Sequence, residues 1–557
     1  MDQSGATPAT NHCVRFAPLA VALFSVFSAH AVEISTGDSD LAIRWDNTVK
    51  LSTAVRLKSP EQSLLTNPNN DDGDRNFKKG FISERVDLFS EFDAVYQKSL
   101  GFRVSGAAWY DQVYNEKNDN PGFPGGAFPN QTSVASDQFP HATRDLHGRK
   151  AEILDAFVFA KFDLGGRSAT VRAGNHALLW GESLFFGANA IAGGQQPVDL
   201  VKLLSVPSTQ FKEAVRPVPQ VSAQVQLTSN VSVGAYVQER FERSIVPAVG
   251  SYFSTSDQAV DGGETILLGA GAPPATRQAD LRPNDKWEQG GLQLRVRGDD
   301  IDYGFYAIRF DEKTPQLVTV VNMTEAGPAP TGYYLAYPQG ITAFGASASK
   351  TFGNFNIAVE GSYRHNADLA STQGSDTSGF TPAPATNLSS HPGYAVGNTM
   401  HVNVSSIGSL GPNFLWREAS VTAEVAWNHV VKITKNAAAV DPNANRSAVA
   451  ARMVVEPTYR SVLDGVDLGV PVGIGWAPKS SKPMALNSPN AWVPAGGGDM
   501  SIGLNGSFQD AWRASVVYTH YLGKVATFND GAANNAYSWQ QTLKDRDFIA
   551  LSVRYSF

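Results

Sequence analysis

Residues 41–57 read LAIRWDNTVKLSTAVRL. Leu41, Ile43, Trp45, Val49, Leu51, Val55 and Leu57 fall on odd positions, and Arg44, Asp46, Thr48, Lys50, Ser52 and Arg56 on even ones. Successive strand side chains point to opposite faces, so this segment carries one oily and one wet surface. The pattern recurs downstream. Val86, Leu88, Phe92, Ala94 and Tyr96 oppose Arg85, Asp87, Glu91 and Asp93; Phe102, Val104, Ala108 and Tyr110 oppose Arg103, Ser105 and Asp111; Leu292, Leu294 and Val296 oppose Gln293, Arg295 and Arg297. Further copies lie around 341–366, 399–431, 450–476 and 499–523.

About sixteen such segments, give or take two, can be traced. Short turn signals join many of them, among them Gly353-Asn354, Gly165-Gly166-Arg167, Ser229-Asn230 and Gly298-Asp299-Asp300. Other joins are long and polar: 115–148, 254–288, 311–338, 367–398 and 477–498. Alternating short and long connections predict a transmembrane antiparallel β-barrel with periplasmic turns and extracellular loops. No linker divides the chain, so one domain is expected over residues 32–557.

Composition agrees. Of 557 residues 42% are hydrophobic, 10% aromatic and only 17% charged, below the ~25% of soluble domains. Mean hydropathy is −0.20, too polar for a helical membrane bundle. The aromatic content excludes disorder. A net charge of −7 and the lack of basic blocks interleaved with aromatics leave no case for nucleic acid.

Both ends carry addresses. An apolar stretch after Arg15 ends in Ala29-His30-Ala31, a small-x-small pattern, so residues 1–31 are expected to be a signal peptide removed after Ala31. The single cysteine, Cys13, leaves with it, which excludes thiol chemistry and disulfides from the mature chain. The last nine residues, IALSVRYSF, are apolar at each odd position. Tyr555 and Phe557 resemble the terminal aromatic signal read by the barrel assembly machinery, which implies the bacterial outer membrane and its lipid. A soluble secreted sandwich could alternate in the same way, but closure removes sheet edges and pairs every backbone group in lipid.

If the oily face meets lipid, Arg85, Asp87, Glu91, Arg103, Arg172, Arg295, Arg297, Arg309, Glu360, Arg364 and Glu424 point into the lumen. Both signs are present, which suits a ladder of ion pairs better than a selectivity filter. Residues 174–220 break the alternation, with a helical-looking piece over 200–214 in which Leu200, Leu203, Leu204 and Phe211 share a face. Such a segment folds inside the barrel as a constriction or plug, or packs on the rim; the lumen is the favoured site. There Trp180, Phe185 and Phe186 would contact an apolar ligand, with His176, Glu182 and Asp199 as polar handles. Packing is the competing reading for the aromatics.

No catalytic or cofactor motif is found: His141, His147, His176, His365, His391, His401, His429 and His520 show no compact metal-ligand spacing, and neither a P-loop nor a GxSxG elbow is present. A strand-borne hydrolase around His401, His429 or His520 is the alternative. Residues 69–76, Asn-Asn-Asp-Asp-Gly-Asp-Arg-Asn, have the composition of a calcium loop without EF-hand spacing or its distal Glu, and a solvated loop is expected. The cluster from Arg144 through Asp145 and His147 to Arg149 is expected to be a salt-linked strand start.

Six stretches together resemble a proteobacterial outer-membrane family of unknown function, the one numbered thirteen-oh-two: DDGDRNF at 71–77, RVSGAAWYD at 103–111, TRDLHG at 143–148, LWGESLFFG at 179–187, RPVPQ at 216–220 and GGDMSIGLNG at 497–506. The resemblance covers essentially the whole mature chain. It implies an outer-membrane barrel with no defined enzymatic activity. Relatives lie beside a second family of unknown function, thirteen-twenty-nine, and transporters of the resistance-nodulation-division (RND) type, in settings of hydrophobic-compound use or export. With the hydrophobic-compound context that the resemblance implies, the expected function is diffusive or partner-driven passage of small hydrophobic solutes, with a periplasmic partner as the source of any drive. The alternative is a barrel that docks an envelope transport complex without conducting.

Overall fold

The computed structural model describes residues 32–34, 40–206, 210–258, 261–284, 286–509, 511–530 and 536–557. The expected signal peptide and its cleavage point lie outside them. Eighteen antiparallel strands close into a barrel. They are β1 (Leu41–Arg56), β2 (Gly80–Tyr96), β3 (Leu100–Asp111), β4 (Arg149–Asp163), β5 (Ser168–His176), β6 (Val218–Gln226), β7 (Val231–Gln238), β8 (Gly290–Arg297) and β9 (Asp302–Phe310). The second half continues with β10 (Ile341–Phe352), β11 (Phe355–Asp368), β12 (Val396–Leu410), β13 (Glu418–Lys435), β14 (Ser447–Leu463), the split β15 (Val466–Gly469 and Val472–Ala477), β16 (Gly497–Phe508), β17 (Trp512–Leu522) and β18 (Phe548–Ser556).

The count sits at the top of the expected range. One reason is local: Val470 and Pro471 interrupt β15, and Pro has no N–H for the ladder, so neither short piece carries a full alternating run. Closure joins β18 to β1, with Val49 opposite Tyr555 and Val55 opposite Ile549. The seal runs to the last residue: Asn47 N donates to Phe557 O (2.7 Å) and Phe557 N to Asn47 O (2.9 Å). Beyond that point residues 32–34 pair with residues 43–45 of β1.

Alternation sorts the two faces as physics requires. Trp45, Leu88, Phe102, Phe305, Val404 and Leu551 lie exposed on the outer surface, whereas Glu360, His401, Asn403 and Glu424, on inward positions, are buried. Connections alternate between tight turns such as 164–167 and 353–354 and long loops such as 112–148, 239–289 and 523–547. By the usual arrangement the turns face the periplasm. Gly165 and Gly166 take φ of +64° and +82°, left-handed values that favour glycine at such a turn. At the long-loop end a five-stranded sheet, built from Thr265–Ile266, Ala275–Arg277, Gln316–Thr324, Gly327–Ala336 and Ser375–Gly379, covers part of the opening.

Two loop expectations are overturned. The 69–76 stretch is not solvated: Asn70, Asp71, Asp74 and Asn76 are buried. Asp74 accepts from Arg56 (3.0 Å) and from Arg546 (2.8 and 3.0 Å), and Arg56 also reaches Asp545 (2.7 Å). These charges leave water only because each is paired and hydrogen-bonded; together they rivet the first loop to the last one beside the closure seam. Residues 144–149 form no salt-linked strand start either. His147 is buried, stacked on Tyr114 with centroids 5.0 Å apart, and accepts from Ala248 N (3.2 Å). Burial, helped by the nearby Arg85 charge, pushes it down to about 3, so it stays neutral.

Replacing Asp74 by Ala leaves the buried Arg546 without its carboxylate and Arg56 with Asp545 alone, and is expected to cost about 3–5 kcal/mol. The measurement is the temperature at which the folded, fast-migrating gel band converts to the unfolded one; an unchanged temperature would contradict the rivet.

Candidate functional site

The irregular stretch runs over 177–217, slightly shorter than expected, because 174–176 complete β5 and 218–220 begin β6. It leaves the wall at the long-loop end and packs on inward-facing side chains of β7 and of β9 to β13. Two carboxylates from the wall hold it. Glu360 on β11 accepts from Glu182 N (2.7 Å) and Ile191 N (2.6 Å). Glu424 on β13 accepts from the successive amides of Leu184, Phe185 and Phe186, and its other oxygen takes Asn403 Nδ2 (2.7 Å). A carboxylate receiving several N–H groups satisfies backbone that a helix or sheet would otherwise have to pair. Arg364 completes the set by donating to Ala188 O (3.0 Å) and Ala190 O (2.8 Å).

Gly181 explains why the chain can come this close. It has φ +96°, and a Cβ there would sit 2.1 Å from Glu360 Oε2, so both backbone angle and space demand glycine. Asn189 is a second anchor. Its Nδ2 donates to Asn403 Oδ1 (2.9 Å) and Trp427 O (3.1 Å), while its Oδ1 meets Asn428 Nδ2 (3.0 Å) and His401 Nδ1 (2.9 Å).

Above this docked segment lies a cavity of about 730 Å³, within the ~300–1,000 Å³ of small-molecule pockets. Phe185, Phe186, Leu200, Leu203, Leu204 and Phe211 form its floor. Long loops supply Phe253, Leu267, Leu317, Leu486, Trp492, Trp539 and Leu543. Polar side chains are interspersed among them, including Asn70, Thr255, Gln258, Asp368, Asn487 and Gln540; Arg452 is paired with Asp499, and Lys313 Nζ donates to Gln289 Oε1 (2.8 Å) and Asp311 O (2.6 Å).

Of the six expected contact residues, only Phe185 and Phe186 line this chamber. Trp180 does not. Its ring is 6% exposed and packs edge-on against Tyr236 (5.0 Å) with Ile191, Ile308 and Phe310 around it, wedging the segment against the wall. Glu182 lies outside the chamber lining; burial raises its carboxyl above the ordinary range against the pull of Arg295. His176 bonds Ser222 Oγ (2.8 Å) on the neighbouring strand, and Asp199 caps the short helix Leu200–Ser205 through Lys202 N (3.0 Å). The leucines of that helix were legible as a face; Trp492, Trp539 and Leu543 sit in loops and carry no periodic signal.

The expected lumen residues divide in the same way. Arg103 pairs with Asp93 (2.7 Å) and Glu91 (3.2 Å), and Arg85 pairs with Asp87 (2.6 Å) while lying over the Trp109 ring (4.6 Å). These stand on β2 and β3, apart from the strands that hold the docked segment. Arg172 lies over Phe157 (5.7 Å), and Arg295 is inward and exposed. Arg309 is the exception. It shares its face of β9 with the exposed Tyr303 and Phe305 and pairs with Glu288 (3.3 Å), so it belongs to the outer rim. Of the histidines considered for a hydrolase, His401 meets Thr399 and Asn189, His429 meets Ser447 beside Trp427 on the outer face, and His520 meets Asp547. They form no common site.

A barrel of this kind, with a chamber and an internal segment, defines an outer-membrane channel-like protein. The chain belongs to the family described as Protein of unknown function (DUF1302), matched over residues 13–557. No curated protein matches it. Solved structures of similar fold include the Acinetobacter baumannii OccAB1 (11% identity, TM-score 0.43, covering 95% of this chain and 98% of that one). Pseudomonas aeruginosa OccD3 (OpdP) is 9% identical with TM-score 0.39, covering 95% and 93%. The outer membrane channel DcaP of Acinetobacter baumannii is 9% identical with TM-score 0.38, covering 95% and 100%.

Two substitutions test the docking. Glu424→Ala orphans three amides of the segment and is expected to give larger, noisier single-channel conductance in planar bilayers with the barrel still folded; wild-type conductance would show that the segment does not restrict the lumen. Burial, partly offset by Asp311 and Glu312, pushes Lys313 down to about 8 from 10.5. Between those values the unfolded chain holds more protons, so stability rises with pH across that window, and below it the buried charge costs its full amount. Melting followed from pH 7 to 10.5 should show this rise, and Lys313→Met should abolish it.

Proposed function

We propose that this protein is an outer-membrane channel for small hydrophobic molecules, which collect in the apolar chamber and pass the docked segment by diffusion or under the drive of a periplasmic partner. The observation that carries this reading is the chamber lining, in which leucine and aromatic side chains from the segment face those of four long loops. Apolar area removed from water on binding is worth about 25 cal/mol per Å², and the interspersed polar side chains would orient a hydrophobic solute that carries a few polar groups. The paired charges of β2 and β3 leave a wet surface on the other side of the lumen, which accounts for both signs without a selective filter. Phe185 and Phe186 act here as ligand contacts; Trp180 acts through packing. An RND-type transporter is one candidate for the periplasmic drive.

Purified protein in liposomes tests the proposal with N-phenyl-1-naphthylamine as the apolar solute and arabinose as the polar one. Leu204→Asp combined with Leu486→Asp is expected to lower dye flux roughly tenfold or more, because a desolvated carboxylate disfavours an apolar occupant, while arabinose flux and barrel melting stay unchanged. Passage of neither solute, with the 177–217 segment present or deleted, would favour a barrel that docks an envelope complex.

A further inference from the structure

Outside the chamber floor, the loops hold a cluster that the channel reading does not use. Asp71, Asp72 and Asp257 each place a carboxylate oxygen within 4.8 Å of the others. Asp71 and Asp257 are fully buried. Their hydrogen bonds are one-sided. Asp257 Oδ2 accepts from Asp71 N (2.8 Å) and Asp72 N (3.3 Å), and Asp71 Oδ2 accepts from Arg75 Nε (2.6 Å). Asp257 Oδ1 and Asp71 Oδ1, equally buried, have no hydrogen-bond partner among the described residues. A buried carboxylate oxygen with no donor is among the most expensive groups a fold can hold.

The charges are also unbalanced. Among the described residues Arg75 is the one cation bonded to the cluster, and the adjacent Asp74 is already matched by Arg56 and Arg546. With all three carboxyls ionised, three acidic groups against one guanidinium would leave an excess of two negative charges. The ligand that satisfies oxygens lacking donors and supplies two positive charges is a hard divalent cation, which takes carboxylate, carbonyl and water oxygens in flexible geometry.

We propose that Asp71, Asp72 and Asp257 form a divalent cation site of the calcium class, tying the 57–79 loop to the 239–289 loop. Its third carboxylate comes from 186 residues downstream, which is why the 69–76 stretch has calcium-like composition without the distal acid of a contiguous loop. The site has a structural consequence. Asn70 and Ser256, each next to a ligand, line the chamber, so the cation would hold two loops together as one chamber wall.

The test uses the full-length protein in detergent, stripped with chelator and titrated with CaCl2 alone by calorimetry. Binding is expected with a Kd of about 10⁻³ M or tighter, the range of extracellular calcium modules, together with a rise in melting temperature, since a ligand of the folded state stabilises it by mass action. Asp257→Asn and Asp72→Asn should each weaken binding at least about tenfold, while Asp119→Asn, in an exposed ion pair elsewhere, should bind as wild type. Should Asp257→Asn fail to fold, the half-buried Asp72→Asn and the wild-type titration decide. No heat of binding and no melting shift up to about 10 mM CaCl2, or equal binding by wild type and both cluster variants, would overturn the proposal and leave the cluster neutralised by protons.

Discussion

Lipid offers no hydrogen bonds, and that single condition governs this molecule. Every backbone N–H and C=O within the membrane must find another backbone group, and a sheet achieves this only when its first and last strands meet. Here the meeting of β1 with β18 extends to the final residue, whose main chain is bonded both ways to Asn47. The buried Arg56–Asp74–Arg546 system stands beside this seam and joins the first loop to the last. Closure and rivet serve the same requirement at two depths.

Inside the cylinder the problem is inverted. The 177–217 segment has little regular structure of its own, so its amides and carbonyls need partners from elsewhere. The wall answers with acids where the segment presents N–H groups, and with the Arg364 guanidinium and the Asn403 amide where it presents carbonyls. Buried charge in the wall is therefore spoken for by backbone. Charge counting along the sequence could not separate that use from a pore lining.

The chamber belongs to the loops as much as to the barrel. Its floor comes from the docked segment and its sides from connections hundreds of residues apart in the chain, held by the extracellular sheet and by polar knots beneath it. Apolar side chains that would be a liability in a solvated loop are stable here because they face one another. A barrel thereby gains a compartment with apolar and polar walls at its long-loop end.

The period-two pattern was enough to read the class of fold, the inward or outward sense of most strand residues and the non-strand segment. Strand alternation is a local property, and lipid on one side makes it strict. Arg309 was wrongly expected in the lumen, although its keeping step with Tyr303 and Phe305 already marked it as outward. Contact across the lumen is not local. Whether Trp180 meets a ligand or a wall, whether Glu424 faces water or three amides, and whether Asp257 stands beside Asp71 all depend on where strands far apart in sequence come to rest. The sequence by itself determined the cylinder; the tertiary structure alone decided what fills it, because pairing rules act between neighbours whereas packing in an enclosed space acts between everything that shares it.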